Sequence, residues 1–221
     1  MKKIILSTLV AAFAIALSAQ TSKKEYSTAF VSAMQINIKQ LDTATTAATL
    51  IAVANNFERI GNAEKNKWQP FYYAAYTYTA MAFMSPDKSK IDWLADKAEA
   101  FLQQAEAIEK NNSEISCMFA MINSCRILVD PVSRFQTKGK EVQAFIAKAT
   151  QENADNPRIY LLQARMQLRT PEAFGGGKKI AKESVETAIE KFKNFTPDNS
   201  ISPAWGEGQA ISLLEKINSG N

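Results

Sequence analysis

The stretch Ala98-Glu-Ala-Phe-Leu102-Gln-Gln-Ala105 decides the fold. It sets two alanines and an aliphatic residue on one helical face, where small side chains let a second helix approach closely. The same spacing recurs at Ala47/Ile51/Ala54 and Ala181/Val185/Ala188, with a degenerate copy at Val142/Ile146/Ala149. Recurrence at intervals of about 40–50 residues points to stacked helix pairs. Working outward, apolar periodicity and breakers predict helices over 22–41, 43–60, 67–84, 91–109, 114–129, 136–153, 157–168, 178–195 and 203–218. Gly61-Asn62, Ser85-Pro86-Asp87 and Asp130-Pro131 are read as helix stops. The expected class is all-α, a right-handed α-solenoid of antiparallel helix pairs with about nine helices.

The pairs resemble tetratricopeptide repeats. The Ala-x3-aliphatic-x2-Ala helix is preceded by an aromatic-x3-Ala partner at Phe71/Ala75, with Tyr78 following, and at Tyr160/Ala164. Asn156-Pro157 matches the short turn that joins such repeats. The likeness spans residues 68–195, and its spacing exceeds the family's 34-residue period. It implies a groove lined by the first helix of each pair that holds peptides or partner proteins. Separately, Thr170-Pro-Glu-Ala-Phe-Gly-Gly-Gly-Lys178 with Pro203-Ala-Trp-Gly206 resembles a pattern in exported proteins of Gram-negative envelopes, which carries no function with it.

The N-terminus sets the expected compartment. Lys2 and Lys3 precede an uncharged apolar run over 4–17, and Ser18-Ala19 supplies small residues for cleavage. Residues 1–19 read as a signal peptide, leaving one helical domain over 20–221, in the periplasm or secreted. No later run is long and apolar enough for a membrane helix. Removing two lysines from 26 basic residues leaves 24 against 22 acidic ones, a net charge of +2. That near-balance argues against nucleic acid as a partner.

The 221-residue chain has no histidine. This removes Ser-His-Asp and Cys-His catalysis and the usual zinc sites, so neither a metal nor a cofactor is expected. Cys117 and Cys125 share one predicted helix, about 12 Å apart along it. A disulfide needs Cα atoms within about 7 Å, so the two cannot pair.

Several motifs invite functional readings. Phe174-Gly-Gly-Gly-Lys-Lys179 lacks the first glycine and the Ser/Thr of a phosphate loop, and serves better as a sharp turn. Glu183-Ser184 resembles the catalytic pair of helical peptidoglycan-cleaving enzymes, but Glu183, Glu186 and Glu190 fit an exposed charged face. On the aromatic helix, Trp68, Phe71, Tyr72, Ala75, Thr79 and Phe83 form the expected core face. Gln69, Tyr73 and Tyr76 are then the candidate partner contacts, with Arg165 on a later helix as a charged one. Trp205 is expected to cap the end of the solenoid core or to offer a docking surface.

The expected function is therefore non-enzymatic binding of a protein or peptide partner in the cell envelope. The alternative is a small-ligand binder with a pocket walled by the aromatic helix. An envelope hydrolase would need two facing acids, which the sequence does not show. A homo-oligomer stays open, since exposed apolar surface can close on a second copy.

Overall fold

A computed structural model describes residues 26–219, and every regular element among them is helical. The helices are α1 (Thr28–Thr43), α2 (Ala47–Glu64), α3 (Gln69–Met84), α4 (Ile91–Ile108), α5 (Ser113–Ile127), α6 (Pro131–Glu152), α7 (Pro157–Arg169), α8 (Lys178–Asn194) and α9 (Glu207–Ser219). The segment read as a signal peptide lies outside the described residues.

Each helix packs on the next, and α1, α3, α5 and α7 also touch in succession. The odd helices thus form an inner row, and α2, α4, α6 and α8 each bridge two of them from outside. Burial follows from this placement. Helices α3 and α5 have neighbours on several sides and bury residues around most of their circumference, Tyr72, Ala75, Cys117 and Met118 completely. Helices α4 and α8 bury one stripe each, and Ala98, Leu102, Ala105, Ala181, Val185 and Ala188 are all fully buried. Val142, Ile146 and Ala149 form the equivalent stripe on α6.

The first copy of the signature behaves differently. Ile51 is 41% exposed, and α2 buries Leu50, Val53, Ala54 and Phe57 instead. Gly61 does not end α2 either. It lies inside the helix, where an added Cβ would stand 2.7 Å from the Phe71 ring, so its lack of a side chain admits α3. Asp130-Pro131 is a start as well as a stop. The Asp130 side chain accepts from Ser133 N at 3.2 Å, and Pro131 occupies the first turn of α6, where a missing N–H costs nothing. The glycine turn before α8 is as expected: Gly175 and Gly177 have φ of +79° and +100°. Cys117 and Cys125 are free and buried on α5, and burial pushes the Cys125 thiol up to about 12.

Pro203 does not open the last helix. Residues 195–206 run instead as an irregular strap from α8 to α9, which begins at Glu207. The strap crosses back over the inner row. Arg158 on α7, with no exposed surface, donates from Nη2 to the Pro203 carbonyl at 2.7 Å and from Nη1 to Glu114 Oε1 at 2.9 Å. Its guanidinium sits 4.7 Å from the Phe195 ring centre and 5.1 Å from that of Trp205.

Candidate ligand groove

On the inner row a groove of about 650 Å³ opens between α3, α5, α7 and α9, with the start of α6 at its edge. Tyr76, Ala80 and Phe83 of α3 form one wall, and Met121 and Ile127 of α5 form the floor beside Leu162 and Met166 of α7. Phe135 of α6 and Leu213 of α9 extend the apolar surface. Its charges come from Arg165 and Arg169, one turn apart on α7, and Lys216 on α9. No acidic side chain is among the described residues that line it. Such a site suits an apolar ligand that carries negative charge at its periphery.

Its polar groups are held in place. Arg165 Nη2 donates to Gln209 Oε1 at 2.9 Å, which ties α7 to α9. Burial lowers the Arg165 guanidinium from its ordinary value, so an incoming anion would relieve the cost of that desolvation. Burial also raises the Tyr76 phenol, opposed by its hydrogen bond to Gln209. The Tyr76 ring lies 5.5 Å from the ring of Trp205, whose Nε1 donates to the Tyr72 hydroxyl at 2.8 Å.

The five candidate residues therefore fall in three places. Tyr76 and Arg165 both line the groove. Trp205 stands behind Tyr76 and joins the strap to α3; it does not cap the end of the solenoid core, because its partners are central residues of the inner row. Gln69 and Tyr73 do not reach the groove. Gln69 is 1% exposed and donates from Nε2 to the Tyr26 hydroxyl at 2.7 Å. Tyr73 is buried and stacks on Phe57 at 5.3 Å, because α2 covers the side of α3 that helical periodicity leaves open. Sequence reasoning missed Arg169, Lys216, Phe135 and Met166. The Arg165/Arg169 pair at i, i+4 was the available signal, since it puts two like charges on one face of α7.

No protein-family model and no curated protein matches the chain. Among solved structures, the HusA haemophore from Porphyromonas gingivalis matches with a TM-score of 0.79 and 36% sequence identity, over 88% of this chain and 95% of that one. This relationship overturns the expectation of a protein or peptide partner, because the relative is named as a haemophore, a haem carrier. At this identity and coverage, the chain belongs to the family of the HusA haemophore.

Proposed function

We propose that the chain is an exported haem-binding protein and that the groove between α3, α5, α7 and α9 receives the porphyrin. The observation that carries this reading is the combination of apolar walls with Arg165, Arg169 and Lys216 and, among the described residues, no acidic one in the lining. A porphyrin of the haem type is a flat apolar ring with two carboxylates on one side. The ring fits the walls from Tyr76, Phe83, Phe135 and Leu213, and the carboxylates fit the three cations. The volume lies within the range of sites that bury most of a small ligand. Export is supported by the apolar run over 4–17 with its basic start and small-residue end, followed by one domain over 20–221. No helix among the described residues is long and apolar enough to cross a membrane. A haem carrier holds its ligand without transforming it, and the chain is accordingly not an enzyme.

The test is a haem titration followed by the porphyrin absorption band, on the chain and on an Arg165→Ala/Arg169→Ala variant that keeps its helical circular dichroism. Charge-assisted hydrogen bonds contribute about 1.5–3 kcal/mol each, less where solvent reaches them. The double variant should therefore bind at least tenfold more weakly. Absence of saturable binding by the unaltered chain would sink the reading, and an unchanged variant would move the site away from the groove.

A further inference from the structure

A second cavity, of about 220 Å³, lies under the strap on the far side of Arg158 from the groove, and its chemistry is opposite. Glu109, Glu114, Glu152 and Asp198 line it, and no Lys or Arg does among the described residues. Two of these carboxylates are buried with acceptor capacity unused. The Glu152 side chain is 7% exposed, and neither of its oxygens has a hydrogen-bond donor. Its nearest cation, Lys148, stands 3.8 Å away and is held at 2.7 Å by Glu106. Glu114 is lopsided: Asn156 Nδ2 and Arg158 Nη1 both donate to Oε1, while buried Oε2 receives nothing. Leaving buried acceptors on charged groups unmatched costs more than a hydrogen bond is worth, so such a cavity favours a ligand that brings donors and positive charge.

The geometry narrows the ligand. No three His, Cys, Asp or Glu side chains among the described residues come together closely enough to hold a metal ion. Trp68 and Phe195 supply aromatic surface beside the carboxylates, which suits an organic cation better than a bare one. We propose that this cavity binds a guanidinium or primary ammonium group, whose several N–H donors meet the unmatched oxygens of Glu152 and Glu114. A free small cation and the tip of a basic peptide side chain share that chemistry.

The test titrates the chain at pH 8 and fixed ionic strength with ethylguanidinium, ethylammonium and the tripeptide Gly-Arg-Gly, following backbone amide signals by NMR. Saturable shifts at Ser113 and Asn153 are expected. Glu152→Gln, which keeps the shape and removes the charge, should weaken them at least tenfold while haem titration is unchanged. Tighter saturation by the tripeptide would assign the site to basic peptides, and by the ethyl cations to free small molecules. Tetramethylammonium, a cation without N–H donors, should give no saturable shift. An equal response to it, binding of calcium in preference to the organic cations, or unchanged affinity in Glu152→Gln would each overturn the proposal. Should Glu152→Gln lose its helical circular dichroism, Asp198→Asn at an exposed position replaces it, with an expected threefold loss and the same overturning result.

Discussion

Gly206 has φ of +120°, and a Cβ built on it would lie 2.5 Å from Phe192 Cζ. Two separate costs therefore meet at this residue, a backbone angle that L side chains resist and a clash with a buried ring. Gly175 has the first cost alone, since nothing lies within 4 Å of its would-be Cβ. Urea unfolding should show Gly206→Ala less stable by roughly 2–4 kcal/mol and Gly175→Ala by only about 1 kcal/mol. The comparison of Tyr73 with Tyr76 shows what single residues reveal in sequence. Both stand off the main apolar face of the aromatic helix, yet one is stacked on Phe57 and the other lines the groove. Helical periodicity places each side chain around its own axis, but the neighbour that covers it comes from another helix. Arg158 was invisible for the same reason. A fully buried arginine is legible only once Glu114, Pro203 and Trp205 are brought to it from three distant parts of the chain.

Among the elements, the regular helices were legible, and the strap was not. Breakers and apolar periodicity place α4 and α8 to within a residue, because each has one covered face and one wet one. They shift α2 and α6 by four or five residues at an end where Gly61 and Asp130-Pro131 read as stops. Pro203 misleads because proline both opens helices and shapes irregular chain; here its carbonyl is an acceptor for Arg158, and α9 waits for Gly206. The strap rests on the buried pair of Arg158 and Glu114, and that pair carries a pH dependence. Burial raises the Glu114 carboxyl from 4.5 to about 7, against the pull of Arg158 and the Asn156 hydrogen bond, with Asp198 adding to the rise. The folded chain thus keeps this proton between pH 4.5 and 7, where the unfolded chain has released it. Stability from this group is fully present at low pH and falls as pH rises through that window. The unfolding free energy should fall further between pH 5 and pH 8 for the unaltered chain than for Glu114→Gln, by on the order of 1–3 kcal/mol in urea titrations. Equal slopes would show that Glu114 is ionised throughout.

At the scale of the molecule, charge is sorted rather than spread. Among the described residues, those lining the groove include Arg165, Arg169 and Lys216 and no acid, while those lining the cavity under the strap include four carboxylates, of which Glu114 is paired with Arg158. A ligand with two carboxylates is then drawn toward one side and repelled from the other. Haem affinity should fall severalfold between about 50 and 500 mM sodium chloride, as screening shortens the Debye length from roughly 14 to 4 Å. A titration insensitive to salt would leave the apolar walls as the whole basis of binding. The net charge of the sequence hides this sorting, because both sets sum to near balance. Fold class was readable from repeated small-residue spacing, which is local. The groove was not, because its lining runs from Tyr76 to Lys216 and exists only where four helices meet.

The hydrogen bond from Trp205 to Tyr72 joins residues 133 positions apart, whereas nearly every helix contact is with a close neighbour in sequence. From α1 to α8, the helices that pack together stand one or two apart in the chain. The strap instead reaches back to α3, and α9 behind it brings the last side of the groove. A chain ending at residue 194 would keep eight of the nine described helices and lose the side of the groove that Gln209, Leu213 and Lys216 supply.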